Sequence, residues 1–271
     1  MLDLQLTGRS ALVTGASSGI GTCIAHALAE QGAHIFVHGR DPGRTSAVAA
    51  AITAAGGKAE AVTGDLGEAA GLEAVIGVVA AAGGVDILVN NAGGPAGDFS
   101  RRFEAIPRED WLATYASNTV AAAELSRKLL GAMRERNWGR LIHIASATAM
   151  QPTELGSDYA ACKGAIVNLS VSIARSLSGV AITSNVISPG VIATASVAAW
   201  VQHIAQEKGW SDLAPADRER RVAREIFGID IVRLGRPADV AHAVLMLASP
   251  LGDFINGANI RVDGGHVLTV N

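Results

Sequence analysis

Tyr159 and Lys163 stand four residues apart in a segment of helical pattern, 158–177, so both side chains leave the same face of a helix. A phenol ionises near pH ~10 and carries protons poorly at neutrality; an ammonium beside it favours the phenolate and lowers that value. The pair suits proton donation to a carbonyl oxygen whose carbon receives a hydride. Alone, a tyrosine and a lysine at this spacing are ordinary surface residues. Two further residues change their meaning. Ser146 follows the apolar run Leu141–Ala145 and precedes Tyr159 by a short loop, so its hydroxyl sits at a strand end and can hold the substrate carbonyl. Asn118 lies in a long helical segment before that strand and can bind a relay water; a mid-helix amide is otherwise neutral.

Short apolar strands alternate with helices to position these groups. Strands are predicted at 10–13, 33–37, 58–62, 85–89, 140–144, 182–187 and 259–262, and helices at 20–31, 44–55, 68–82, 108–136, 158–177 and 237–248. Strands separated by helices of ten or more residues imply βαβ units. The expectation is an α/β, Rossmann-type doubly wound parallel sheet, with near-continuous apolar strands covered on both faces. All 271 residues fit one domain. Residues 195–232 break the rhythm and are too long for a simple connection.

Thr14-Gly15-Ala16-Ser17-Ser18-Gly19-Ile20-Gly21 follows the first strand and opens the first helix. Gly15 can take a turn that a side chain would block. Gly19 lets the backbone approach a pyrophosphate, Gly21 lets the helix sit close to the sheet, and the helix start around Ser17, Ser18 and Ile20 offers free N–H groups to phosphates. Arg40, just past the second strand, matches a 2′-phosphate and points to NADP(H), with Arg44 assisting; Asp41 as a ribose ligand would make the cofactor NAD(H). Gly39 stands where that acid is expected, and Asp41 before Pro42 reads as a turn residue. Asp65 can hold the adenine amino group with Leu66 beside the ring, or cap a helix. Asn90-Asn91-Ala92-Gly93 ends the fourth strand with small residues and amides that let a ligand come close to the backbone.

In order and spacing, these motifs resemble the classical short-chain dehydrogenase/reductase family over nearly the whole chain. Pro189-Gly190 with Thr194, Gly235-Arg236-Pro237 and Asp263-Gly264-Gly265 also match, and Cys162 stands where the family often has serine. The resemblance implies that Asn118, Ser146, Tyr159 and Lys163 form a catalytic tetrad and that Lys163 binds the nicotinamide ribose. It also implies that Ile192 and Thr194, beyond Pro189 and Gly190, hold the nicotinamide carboxamide. NADP-preferring members are similar in placing arginine at the position of Arg40. The implied reaction interconverts a ketone and a secondary alcohol. The family's largest group reduces 3-oxoacyl thioesters on acyl carrier protein, an acidic partner for which Arg127, Lys128, Arg134, Arg136 and Arg175 are available. Some relatives bind NADP without turnover, as sensors, but typically lack the tyrosine–lysine pair.

The 195–232 segment reads as a two-helix substrate lid. Val197, Trp200, Val201 and Ile204 share one face, Val222, Ile226 and Ile229 suggest a second helix, and Trp210 lies between. Arg218–Arg221 reads as a solvated face. Gly94, Thr148, Met150 and Gln151 are further pocket candidates, and His38 is placed near the adenosine ribose. No metal is expected, because the seven histidines are scattered and no Cys/His cluster occurs. A net charge of -3 argues against nucleic acid as a partner. Two cysteines, no basic-apolar leader and no long apolar run point to a cytoplasmic protein off the membrane. The alanine- and leucine-rich helices, with the family resemblance, imply a homo-oligomer, a tetramer or a dimer.

Overall fold

A computed structural model describes residues 2–269. Its centre is a parallel sheet of seven strands in the order β3-β2-β1-β4-β5-β6-β7. The strands are β1 Ser10–Val13, β2 His34–Gly39, β3 Lys58–Thr63, β4 Ile87–Asn90, β5 Gly139–Ile144, β6 Ile182–Pro189 and β7 Asn259–Val262. The chain winds outward from β1 to β3, then returns to pair β4 against β1. That reversal leaves a crevice beyond the carboxyl ends of β1 and β4, where ligands bind in open α/β sheets.

The period of two along each strand divides the interior into two cores. Ala11 and Val13, Ile35 and Val37, Ile87 and Val89 face one side, against Ile24 and Leu28 of α1 (Gly19–Glu30) and Val240 and Val244 of α9 (Pro237–Ala248). Leu12, Phe36, Leu88 and Leu141 face the other, against Val75 and Val79 of α3 (Ala69–Ala81) and Leu125 and Leu129 of α5 (Ala121–Glu135). Each Val, Leu, Ile or Phe among them contributes about 1.5–3 kcal/mol by leaving water, which anchors the strand ends that carry the site.

Four sequence expectations change. β3 is an edge strand and exposes Lys58, Glu60 and Thr63, so it is not covered on both faces. β4 begins at Ile87; the Asp86 backbone still bonds Ser10 and Arg140, and its carboxylate accepts from the Ser10 N–H at 2.9 Å. The helix expected over 108–136 is two, α4 (Arg108–Tyr115) and α5, joined by a π-turn at Ala116–Val120. The second helix of the 195–232 segment, α8 (Pro215–Arg221), runs into another π-turn at Val222–Ile226 and ends before Ile229. The remaining helices are α2 (Pro42–Ala54), α6 (Ser157–Ser176) and α7 (Ala195–Glu207). No helix among the described residues is long and apolar enough to cross a membrane.

Candidate active site

The glycine turn packs on the end of β4. Gly15 has φ +64, and a Cβ there would lie 2.9 Å from the Ala92 Cα. A Cβ on Gly21 would come within 2.4 Å of the Gly15 carbonyl. Asn91 locks this contact, its Nδ2 donating to the carbonyls of Thr14 at 2.8 Å and Gly15 at 3.3 Å. The Thr14 hydroxyl accepts from the Asn91 and Ala92 N–H groups at 3.0 and 2.9 Å. Ser18 caps α1 without a side-chain hydrogen bond, and no acid stands in its first turn, so the N–H groups there remain available to an anion. Ser17 lies under Gly39, where a Cβ would meet it at 2.7 Å. Thr194, which precedes α7, reaches the same turn: its Cγ2 lies 3.4 Å from where a Gly19 Cβ would be. Ile192 is buried in the core and forms a bridge with Gly235, while Gly190 packs on Asp263.

Beyond β2, the Arg40 side chain is 77% exposed, 3.8 Å from the Asp65 carboxylate. Asp41 caps α2 by accepting from the Arg44 N–H at 2.9 Å and pairs with the Arg44 guanidinium at 3.4 Å. Its carboxylate is therefore engaged as a turn residue. Asp65 closes its own turn onto the Gly67 N–H at 2.9 Å, while Glu68 occupies the N-cap of α3. Leu66 packs into the core, so its side chain does not lie open beside a ring. His38 is also a correction. It is buried beneath the turn, accepting from the Gly15 N–H at 3.3 Å and facing the Gly64 carbonyl at 3.0 Å, instead of lining a ribose site.

The end of β5, the start of α6 and the π-turn at Ala116–Val120 carry the four chemical residues. The Lys163 ammonium is 3% exposed and donates to the Ile144 carbonyl at 3.0 Å. It lies 5.4 Å from the centre of the Tyr159 ring, and 3.2 Å from where a Gly93 Cβ would be. Burial pushes Lys163 down to about 8 and Tyr159 up to about 12; a hydrogen bond from Ser146 works the other way on the tyrosine. On the phenol, desolvation outweighs that hydrogen bond, so the net direction is upward, opposite to the depression expected from Lys163. Ser146 Oγ accepts from the Thr148 N–H at 3.2 Å and hydroxyl at 2.9 Å. With both lone pairs engaged, the Ser146 hydroxyl directs its one proton at the Tyr159 oxygen.

Asn118 sits in the π-turn and grips the peptide of Gly94. Its Oδ1 accepts from the Gly94 N–H at 3.0 Å, and its Nδ2 donates to the Gly94 carbonyl at 2.9 Å and to the Thr114 carbonyl at 2.8 Å. Both Nδ2 protons and one Oδ1 lone pair are thus engaged by protein. Gly94 itself faces open space. Cys162 is buried against Thr119, in line with a packing role.

Of the substrate candidates, Thr148 orients Ser146. Gln151 clasps the C-terminal segment, accepting from the Leu268 N–H at 2.9 Å and donating to the His266 carbonyl at 3.4 Å. Trp200 is 40% exposed and stacks on Phe227 at 5.2 Å, which meets His266 edge-on at 5.9 Å. Val197, Val201 and Phe227 form the inner face of the 195–232 segment with Ala223, Ile229 and Leu234, whereas Ile226 is exposed. Arg218–Arg221 is not wholly solvated: Glu219 bonds the Arg236 guanidinium at 2.8 Å and the Leu234 N–H at 3.2 Å. Sequence reasoning missed Phe99, whose ring lies 5.8 Å from that of Tyr159, edge to face. It stands in a glycine-rich loop without periodicity, and no local signal marks it.

Comparison with known proteins agrees with this geometry. The family model described as short chain dehydrogenase matches residues 9–205. The uncharacterized oxidoreductase YvaG of Bacillus subtilis is 35% identical over 99% of this chain and 100% of its own. The crystal structure of L-sorbose reductase from Gluconobacter frateurii, complexed with NADPH and L-sorbose, is 31% identical, with TM-score 0.92 over 99% of this chain and 100% of that one. A 3-oxoacyl (acyl-carrier-protein) reductase from Agrobacterium tumefaciens with NADP bound is 34% identical, with TM-score 0.85 over 97% and 95% of the two chains. The chain belongs to the short-chain dehydrogenase family, and it is an oxidoreductase acting on CH–OH and C=O groups.

Proposed function

We propose that this chain is a single-domain, NADP(H)-dependent reductase or dehydrogenase that interconverts a ketone and a secondary alcohol, with Asn118, Ser146, Tyr159 and Lys163 as its working residues. The observation that carries the reading is the convergence of Tyr159, Ser146 and Lys163 beside Gly93, one strand end from the glycine turn. The cradle at Gly15, Gly19 and Gly21, with the open helix start, fits a dinucleotide phosphate, and Arg40 fits a 2′-phosphate. The cofactor, when bound, supplies or accepts the hydride.

Tyr159 holds the proton at its Oη and passes it to the substrate oxygen. Ser146 turns its one proton from the Tyr159 oxygen to the substrate oxygen as negative charge develops there. Lys163 spends one N–H on Ile144 and keeps the others for the ribose hydroxyls. Asn118 fixes Gly94 and the wall of the cleft. Thr194, Ile192, Pro189 and Gly190 line the nicotinamide end, and residues 195–232 cover the substrate. Gly94, Thr148, Gln151 and Trp200 line the substrate side.

Reduction of 3-oxoacyl thioesters on a carrier protein is the second reading, and the Agrobacterium relative favours it. Against it, three candidate landing residues are already paired with carboxylates: Arg127 with Glu124, Lys128 with Glu73, and Arg136 with Asp86. We place the protein in the cytoplasm as a homo-oligomer. The deciding experiment is a screen of NADPH and NADH oxidation with aldehydes, ketones and 3-oxoacyl thioesters. Turnover of small ketones with NADPH is expected. Tight NADPH binding with no turnover of any substrate would instead mark a sensor.

A further inference from the structure

We infer that His38 is the positioning residue of the phosphate turn and that it holds Gly15 only while its imidazole is neutral, so acidification weakens dinucleotide binding. This rests on the nucleotide-binding reading above and adds a control to it. His38 is the penultimate residue of β2 and 2% exposed. Its two neighbours fix its tautomer. The Gly15 N–H can only donate, so Nδ1 at 3.3 Å must accept; the Gly64 carbonyl can only accept, so Nε2 at 3.0 Å must donate. The His38 carbonyl also accepts from the Ala16 N–H at 2.7 Å, so one residue holds two successive amides of the turn. On the other side, Asn91 holds the Thr14 and Gly15 carbonyls. Gly15 is thus clamped between β2 and β4, and its left-handed φ of +64 is kept by that clamp.

Protonation would set an N–H on Nδ1 against the N–H of Gly15. Two buried donors would then face each other, and the turn would have to move. Burial already lowers the His38 pKa below its ordinary value. Among its charged neighbours, Asp65 beyond β3 favours protonation and Arg40 at the end of β2 opposes it. The glycine turn itself, Thr14–Gly21, carries no charged side chain, and at the start of α2 Asp41 and Arg44 pair with each other.

The test measures the Kd of NADP⁺, which survives acid, from pH 7.5 to 5.0 for the wild type, H38N and H38F. Asparagine presents an acceptor where Nδ1 stood but does not titrate. The wild type should weaken on acidification about tenfold more than H38N, the size of one buried hydrogen bond. The comparison removes the 2′-phosphate's own titration, which both proteins share. H38F should bind about tenfold more weakly across the range. If it does not fold, the wild-type and H38N curves still decide. Equal pH dependence in those two, or undiminished binding by a folded H38F, overturns the inference alone. Absence of NADP⁺ binding by the wild type at pH 7.5 overturns the cofactor reading as well.

Discussion

The Lys163 ammonium lies 5.4 Å from the centre of the Tyr159 ring, yet its hydrogen bond goes to the Ile144 carbonyl. Proximity alone therefore does not activate the phenol, which burial holds at about 12. The chain has only two tyrosines, and Tyr115 is also shifted upward by burial. Absorbance at 295 nm should show no tyrosinate in the free protein up to pH ~10, the ordinary phenol value. Saturation with NADP⁺ should bring ionisation of one tyrosine to lower pH. Tyr159→Phe should abolish that transition and reduce turnover by at least ~10²–10⁴-fold with NADPH binding retained. Undiminished activity in that variant would sink the assignment.

Gly93 has no room for a side chain. A Cβ there would stand 2.1 Å from Asn118 Oδ1 and 3.2 Å from Lys163 Nζ. Gly93→Ala should cost about 1–3 kcal/mol of stability through overpacking. It should also lower kcat/KM by more than Gly94→Ala, which shares the backbone strain of a positive φ, +155, but meets no neighbouring atom. Thermal melts and steady-state kinetics on the two variants check this; equal effects would count against it.

In the proposed reading, Arg40 selects the cofactor by its 2′-phosphate. A lost charge-assisted hydrogen bond costs about 1.5–3 kcal/mol, so Arg40→Ala should raise the KM for NADPH at least ~10-fold and leave that for NADH nearly unchanged. Parallel KM changes for both cofactors would remove Arg40 from that role.

Glu219 ties the 195–232 segment to the start of α9 through Arg236 and Leu234. Glu219→Ala should raise substrate KM several-fold while the Kd of NADPH changes little. An unchanged KM in that variant, and in one lacking residues 195–232, would refute a covering role.

Stability should fall with acid below neutrality. His143 is wholly buried between Asn90 and Ser184, and burial, with help from Lys163, pushes it down to about 4. The folded state thus binds the proton less well than the unfolded chain. The stabilisation is complete above ~6.5 and is lost as pH falls through about 4. The full effect is of the order of 3 kcal/mol. His38 is shifted the same way and adds to the slope. His143→Gln, which can keep both partners, should flatten Tm between pH 7 and pH ~4.5.

Local spacing made much of this legible. The glycine turn, the strand–helix rhythm and the Tyr159–Lys163 interval depend on neighbours in sequence, so residue order alone reveals them. What stayed hidden depends on residues far apart. The direction of the Lys163 ammonium is set by Ile144, the commitment of Asn118 by Gly94, and the burial of His38 by the turn and β3. The exposure of β3 follows from its place at the sheet edge, which periodicity does not report. The helices of the 195–232 segment were visible as apolar stripes, but the end of the second was not, because a π-turn keeps a helix-like pattern while shifting its phase.

The π-turn at Ala116–Val120 makes this stretch intolerant of length changes. It fits one extra residue into the length of an α-helical turn. Deleting a single residue there would restore the ordinary ladder with the flanking helices nearly in phase, because the bulge absorbs its extra residue without passing on a full residue's rotation. Asn118 lies inside the bulge and would lose its grip on Gly94, while α4 would stay near the alignment that lets Thr114 meet Asp158 at 2.8 Å. Substitutions in this segment can be repaired one side chain at a time, whereas a single-residue deletion would remove the Asn118 clasp on the cleft wall at once.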